Sequence, residues 1–406
     1  MDVPKIANLS ELLNRYLGQH KTIIDLETTR LTAIGENYGS QMLALKIHVK
    51  NKDQTEILEV VAKLPPPGEF IRRMFNVPVT FRNEVEFYGT IIPEMEAFLH
   101  ERGLDGYLNC FPKLFGARLS LQGNDEVDDD AVLVLENLKV QGYEMLDRTI
   151  GFDYDSAKTA IKAIAKYHAV PLGLKLLKPE AFKKIRALFP PYKVFEFNET
   201  TFDEIVALQK QTVEDIEGCQ EYGQAVADVF KLTARITKSD PKLIREPFAT
   251  LIHTDTWVNN FMVKYQDGKP VGCKLVDFQL GEYGSPARDV IFFIFTSIQT
   301  PVVEEHYDDL IALYHQTLVG DLAKFGCDPT PFSMDELQKE IELAAREYEI
   351  AHCIMMLQPI FATKENLKEL DEYKDEDMTT ATPISDEQKE KTKFLVHEFA
   401  KRKGIK

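Results

Sequence analysis

His253-Thr254-Asp255-Thr256-Trp257-Val258-Asn259-Asn260, followed by Leu275-Val276-Asp277-Phe278-Gln279, is the stretch on which the reading of this chain turns. The first piece has the spacing H-x-D-x-x-x-x-N, and the second is an aspartate ending an apolar strand, two parts that kinase-type phosphoryl transfer needs side by side. Such transfer asks little covalent work of the protein. It needs a carboxylate to orient and deprotonate an acceptor hydroxyl, and oxygen ligands for the Mg²⁺ that bridges the nucleotide phosphates. Asp255 is the candidate base. Asn260 and Asp277 are the candidate ligands, because Mg²⁺ takes one or two protein oxygens and completes its shell with phosphates and water. Asn260 can fold back over a short loop to the same metal, whereas Asn259 should point away. The spacing alone also arises by chance. Its weight comes from the succession: a turn at Asp267-Gly268, an apolar run Val271–Val276 and then Asp277, so that catalytic loop, hairpin and metal aspartate follow in order.

Composition narrows the partners. The 406-residue chain, 44% hydrophobic and 28% charged, has the make-up of a soluble globular protein long enough for two or three compact units. Its net charge of −17 speaks against nucleic acid and against anionic membrane surfaces, since neither polyanion attracts it. Cys110, Cys219, Cys273, Cys327 and Cys353 are scattered without a C-x-x-C pair, which predicts reduced thiols and neither a disulfide framework nor a zinc site. Met1-Asp2-Val3-Pro4-Lys5 lacks the apolar core of a signal peptide, and an amphipathic helix on Leu9, Leu12, Leu13, Tyr16 and Leu17 follows. The runs Val290–Phe295 and Ile354–Phe361 are too short to span a bilayer. These features predict a cytoplasmic protein.

From Lys21 to Leu64 the pattern is β. Thr22–Ile34 is rich in β-branched residues, Gly35-Glu36-Asn37-Tyr38-Gly39-Ser40 is a turn, and Gln41–Val49 places Leu43, Leu45, Ile47 and Val49 on one face. A second turn at Asn51-Lys52-Asp53 leads into Thr55–Leu64, which Pro65-Pro66-Pro67 ends. In a kinase-like lobe the first turn covers the nucleotide phosphates with backbone N–H groups; taken alone, it reads equally as an ordinary hairpin turn. Val61 and Lys63 share a strand face, so a Lys63 that enters the cleft puts Val61 beneath the adenine. A strand lysine is usually a solvated edge residue, and what lifts this one is an acidic partner. At about 100° per residue from Phe81, Glu84 falls on the side of Phe81, Val85, Tyr88, Ile91 and Ile92, whereas Glu86 points away. An inward glutamate among apolar residues needs a cation, and Lys63 supplies one.

A strand is expected near Phe111–Ala117, an exposed turn at Gln122–Asp130, and a short strand at Ala131–Leu135. By position, the following Glu136-Asn137-Leu138 is the hinge, with backbone groups near Glu136 and Leu138 facing the adenine edge. Asp153–His168 has helical periodicity, and His168 reads better as a hydrogen-bonded core histidine than as a catalytic one. Helix is also expected over Phe202–Thr237 and after Ser285, which can cap, with Pro286 in the first turn. Asp289 either favours that helix's dipole or braces the catalytic loop. Lys364–Asp386 reads as an exposed acidic insert, and a final helix begins near Ser385 with Gln388 completing a capping box.

Gly35-Glu36-Asn37-Tyr38, Phe81-x-x-Glu84-x-x-x-Tyr88, Gly142-Tyr143, His168-Ala169, Trp257-Val258-Asn259-Asn260, Asp277-Phe278-Gln279 and Ser285-Pro286-Ala287-x-Asp289 together make the chain resemble the insect ecdysteroid kinase-like family, relatives of choline kinases and aminoglycoside phosphotransferases. The resemblance spans almost the whole chain. It implies an α+β, protein-kinase-like two-lobed fold, with an antiparallel-sheet N-lobe over 1–138 and a mainly helical C-lobe over 139–406. It also implies ATP-dependent phosphorylation of a small-molecule hydroxyl, with ecdysteroids the named substrate class. By matching position, Asp255 is the base, Asn260 and Asp277 the metal ligands, Lys63 and Glu84 the nucleotide-positioning pair, and Asp289 a brace. The chain departs from the family's usual His-Gly-Asp at Thr254, which sets a β-carbon next to the base, and at Asn137, where the hinge is usually acidic.

Only eleven residues separate Asp277 from Asp289, too few for a peptide-binding activation segment, so a small molecule is the expected acceptor and no protein partner is evident. A lipophilic acceptor calls for an apolar wall, which Trp257 with Phe292, Phe293 and Phe295 could provide, although those phenylalanines fit an ordinary core equally well. The alternatives are a choline- or aminoglycoside-type kinase, and a catalytically silent nucleotide- or ligand-binding protein on the same scaffold.

Overall fold

Alternation of side chains organises the first sheet. The computed structural model describes residues 3–31, 39–52, 54–194, 196–233, 241, 244–363, 368, 371–380 and 383–402; Gly35, Glu36, Asn37 and Tyr38 lie outside them. β1 (Lys21–Arg30), β2 (Gln41–Asn51), β3 (Gln54–Leu64), β4 (Leu114–Arg118) and β5 (Val132–Glu136) form one sheet in the order β1-β2-β3-β5-β4, antiparallel at every pair. Leu43, Leu45, Ile47 and Val49 of β2 share a face with Val60, Ala62 and Leu64 of β3 and bury against Leu9, Leu13 and Leu17. The period of two then turns Val61 and Lys63 to the opposite face. The N-terminal helix expected as one piece is two short ones, Leu9–Leu12 and Asn14–Leu17. The chain leaves the helical basin at Leu13 (φ −92°, ψ 6°), so Leu9, Leu13 and Leu17 reach the sheet while Tyr16 stays exposed.

The helix that brings Glu84 inward enters at Val77 and runs to His100, with a π turn over Phe87–Ile91. Phe81, Glu84, Tyr88 and Ile91 are buried as the periodicity predicts, while Val85 and Ile92 are only half-buried. Phe87 also faces inward, three residues after Glu84 and four before Ile91 on one side of the helix.

The rest of the chain is mostly helical, with two small sheets that carry the loops of interest. β6 (Tyr143–Glu144), β8 (Phe261–Gln266) and β9 (Lys269–Leu275) form one, and β7 (Thr250–Ile252) pairs with β10 (Glu282–Gly284) in the other. The motif residues thus lie between β7 and β8, and Asp277 lies between β9 and β10. Tyr154–Leu177 is longer than the expected helix: Asp153 caps it, accepting from the Ser156 N–H at 2.8 Å, and it continues through Pro171. Packing against Thr300–Phe325, with Val170, Leu172 and Leu174 buried, outweighs the lost backbone bond. Of the helix expected over Phe202–Thr237, residues 234–237 lie outside the described ones, and the rest belongs to two helices, Glu199–Glu214 and Gly223–Thr233, parted by a turn in which Gly218 takes φ +85°. Ser285 does not cap the helix Ala287–Ser297 with its side chain; its hydroxyl donates to Glu340 Oε2 at 2.6 Å. Ser385 does cap Asp386–Lys401, accepting from the Gln388 N–H at 3.2 Å. The five cysteines are buried free thiols, and no helix among the described residues is long and apolar enough to cross a membrane. These elements build the α+β, protein-kinase-like two-lobed fold.

Where the two regions meet, Phe278 is stacked on Phe87, ring centroids 3.7 Å apart and planes 10° apart, with the edges of Phe111 and Tyr167 against it. Phe87 has no exposed surface. Phe87→Ala is expected to lower stability by about 3–5 kcal/mol in urea denaturation, the usual cost of an emptied aromatic site.

Candidate active site

Lys63 stands near the end of β3 on the face turned away from the outer core, and its ammonium meets two carboxylates. Nζ lies 2.5 Å from Glu84 Oε2 and 2.7 Å from Asp277 Oδ1. Lys63 is 3% exposed and Glu84 1%, so water screens little of this attraction. Burial alone would drive the ammonium's pKa down, but the Asp277 and Glu84 charges hold it above its ordinary value. Glu84 is pushed up to about 7, chiefly by burial and further by the Asp277 charge, with Lys63 opposing.

The second half of the site is the 253–260 loop. Asn260 Nδ2 donates to the Asp255 carbonyl at 2.7 Å and to Asp255 Oδ2 at 2.8 Å, which fixes the rotation of that carboxylate. With its nitrogen turned to Asp255, the Asn260 amide presents its oxygen as the atom for a cation. The donor set therefore fits Mg²⁺: a hard amide oxygen and a carboxylate, with no group of three His, Cys, Asp or Glu among the described residues that would make an all-protein cage. His253 Nε2 donates to the Val276 carbonyl at 2.9 Å, and the Val276 N–H donates to the Asn260 carbonyl at 3.0 Å. Burial holds the His253 pKa below its ordinary value, so the ring is neutral and its Nδ1 accepts from the Asp255 N–H at 3.3 Å.

Asp289 sets the loop in place. Its carboxylate has no exposed surface and accepts from the His253 N–H at 2.7 Å, the Thr254 N–H at 2.7 Å and His168 Nε2 at 3.0 Å. Burial would raise its pKa, but the hydrogen bond and charge of His168, together with the loop N–H groups, bring it below the usual carboxylate range. Of the two roles open to Asp289, it is the brace that these bonds describe. His168 is the core histidine expected, oriented by Tyr314 Oη at 2.9 Å. Thr254 takes φ +64° and its hydroxyl donates to the Leu280 carbonyl at 2.8 Å; Asp277 takes φ +68°.

On the nucleotide side, Val61 is buried and shares the Lys63 face. The Glu136 N–H is committed to the Lys113 carbonyl at 2.9 Å, which narrows the hinge expectation at that residue to its carbonyl. Leu138 is buried, and Asn137 Oδ1 accepts from the Lys139 N–H at 3.2 Å, so Asn137 caps the hinge turn. Gly39 and Ser40 are buried; a β-carbon on Gly39 would lie 2.5 Å from Gln279 Nε2, so the end of the first turn rests on the Asp277 loop. The apolar wall expected from Phe292, Phe293 and Phe295 is not available to an acceptor. Phe292 stacks on His352 at 4.0 Å, Phe293 packs on Phe152 and Phe261, and Phe295 packs on Phe399.

Sequence reasoning passed over three contributors. Phe87 lies at the margin of the stripe counted from Phe81, on the Glu84 side. The ring of His253 and the hydroxyl of Thr256, which donates to the Asp289 carbonyl at 2.8 Å, act through backbone atoms that a side-chain motif does not display. Their position inside the motif is the one signal that could have found them.

The family model for the ecdysteroid kinase-like family matches residues 34–327. The chain belongs to that family. It is therefore a small-molecule phosphotransferase acting on a hydroxyl group. Among curated proteins no match is found. Similar solved structures include a point mutant of aminoglycoside 2'-phosphotransferase-IIIa with GDP (TM-score 0.39, 12% identity, covering 87% of this chain and 90% of that chain). Another is APH(2'')-IIIa with GDP and kanamycin (TM-score 0.36, 12% identity, 84% of this chain and 97% of that chain).

The shifted Glu84 has a measurable effect. Between pH 4.5 and about 7 the folded protein holds its proton more tightly than the unfolded chain does, so this group's contribution to stability declines as pH rises through that window. Glu84→Gln, which removes the titration, is expected to give a flatter stability profile than wild type across the window in denaturant unfolding; parallel profiles would contradict the assignment.

Proposed function

We propose that this family member is an ATP- and Mg²⁺-dependent cytoplasmic kinase that phosphorylates a hydroxyl of an ecdysteroid or a similar lipophilic metabolite or xenobiotic. The observation that carries the reading is the convergence of Lys63, Glu84 and Asp277 in one buried cluster, with Asp255 held by Asn260 on the adjoining loop. Residues 1–138 serve as the nucleotide lobe and 139–406 as the acceptor lobe. Lys63, fixed by Glu84, orients the nucleotide phosphates. Gly35, Glu36, Asn37, Tyr38, Gly39 and Ser40 cover them. Val61 and the hinge at Glu136 and Leu138 receive the adenine. Asp277 and Asn260 would hold Mg²⁺, which when bound offsets the charge of the phosphates. Asp255 orients the acceptor hydroxyl and takes its proton as the new O–P bond forms. His253 contributes no proton, being neutral and occupied on both ring nitrogens; it positions the base.

Asp255→Asn is expected to lower kcat by roughly 10²–10⁴-fold while leaving the ATP KM nearly unchanged, read on a panel of steroid, sterol-conjugate and phenolic acceptors. If Mg·ATP binds but no acceptor is phosphorylated, and Asp255→Asn alters nothing, the enzyme reading fails. A second comparison addresses the ligand assignment. Asn260→Ala should weaken the Mg²⁺ dependence of nucleotide binding, and Asn259→Ala should not; equal losses would contradict it.

A further inference from the structure

Thr254 occupies a backbone conformation that its residue type disfavours. At φ +64° a β-branched side chain is crowded by its own backbone, and such residues persist only where their surroundings fix them. Here two bonds do so: the Thr254 N–H is held by Asp289 Oδ1 at 2.7 Å, and the Thr254 hydroxyl by the Leu280 carbonyl at 2.8 Å. The side chain is 3% exposed.

The second bond joins the two loops that carry the proposed metal ligands. Asn260 lies on the 253–260 loop and Asp277 on the 276–280 loop. Before Asp277, the loops are joined by His253 Nε2 to the Val276 carbonyl and by the Val276 N–H to the Asn260 carbonyl. Beyond Asp277, the Thr254 hydroxyl joins them at Leu280. Asp277, itself at φ +68°, is thus tied to the base loop on both sides. Phe278 adds packing on Phe87 of the Val77–His100 helix and on the His253 ring of the base loop, centroids 4.5 Å apart, and Asn83 Nδ2 reaches the Gln279 carbonyl at 3.4 Å; beyond Asp277, the Thr254 hydroxyl adds a directional hydrogen bond to that packing. A glycine at 254 would adopt this φ without strain, yet would give up the tie and leave the residue before Asp255 with more backbone freedom.

We propose that Thr254 is a positioning residue, its hydroxyl setting the separation of the base loop and the metal loop through the Leu280 carbonyl. The metal consequence rests on the kinase reading above, and the tie itself does not. Thr254→Val removes the hydroxyl and keeps the shape, Thr254→Gly removes hydroxyl and strain together, and Thr254→Ser keeps the hydroxyl. Hydrogen exchange of the 278–281 amides in the nucleotide-free protein reads the tie, and Mg²⁺ titration of ATP binding by calorimetry reads its consequence, with thermal unfolding confirming that each variant folds. The expected result is about tenfold faster exchange and about tenfold weaker Mg²⁺ dependence in both Thr254→Val and Thr254→Gly, with Thr254→Ser within about twofold of wild type, the scale of one lost hydrogen bond. ATP affinity without Mg²⁺ should stay the same in all. Should Thr254→Val fail to fold, Thr254→Gly against Thr254→Ser carries the comparison. Unchanged exchange in the variants lacking the hydroxyl overturns the proposal. So does faster exchange with unchanged Mg²⁺ dependence, and so does a loss in Thr254→Val that Thr254→Gly does not share, since bulk and not the hydroxyl would then be responsible. A wild-type protein whose ATP binding does not respond to Mg²⁺ overturns the kinase reading and the metal consequence together, while faster exchange in that case would leave the tie standing.

Discussion

A single buried carboxylate, that of Asp289, holds the arrangement on which the site depends. A charged group without water must be satisfied by hydrogen bonds or lose its charge. Asp289 is satisfied by two consecutive N–H groups of the 253–260 loop and by His168. The electrostatic demand of the aspartate thereby becomes a geometric constraint: the backbone of His253 and Thr254 must lie where it lies. Asp255 inherits its placement from them, and its carboxylate takes its rotation from Asn260. The helix that carries Asp289 is buried along its whole length, so the anchor is as rigid as the core around it.

The opposite side of the cleft depends on charge in another way. Lys63 faces two carboxylates with little exposed surface, and a cluster holding one positive and two negative groups keeps an excess of negative charge. The Glu84 pKa rises chiefly through burial, with the Asp277 charge adding to the rise and Lys63 opposing it. A cation of the kind proposed at Asp277 would offset that excess of negative charge. The conformational cost of assembling the pieces is met by the fold, since β3, the Val77–His100 helix and the strand pair β8–β9 deliver the charged groups as parts of packed elements.

How much of this the sequence displayed follows from how local each signal was. The strands β1 to β3 and the Lys63–Glu84 pair could be read because period-two alternation and helical periodicity are short-range, and because an inward glutamate must have a partner. The H-x-D-x-x-x-x-N spacing likewise announced Asp255 and Asn260. What stayed hidden depended on other segments or on backbone atoms. Tyr154–Leu177 continues through Pro171 because a neighbouring helix packs along it, which no local propensity encodes. Ser285 looked like a cap, but a buried Glu340 competes for its hydroxyl. The phenylalanines of 292–295 could have lined a pocket or filled a core, and only the placement of His352, Phe152 and Phe399 decides it. Thr254 was visible as a departure from its family, but the sign of its φ was not.

The helix over Val77–His100 bears on how firmly the loop of Asp277 is held. It presents Glu84 to Lys63 and, three residues on, Phe87 to Phe278 in the loop of Asp277. The helix is therefore a crossbar between β3 and that loop, with an ionic joint at one contact and an aromatic one at the other. Separating the buried ion pair would strand charges at a cost of several kcal/mol, and the same Lys63 reaches Asp277, the residue before Phe278. The ionic and the aromatic contacts thus lock the same three elements, strand, helix and loop, to one another.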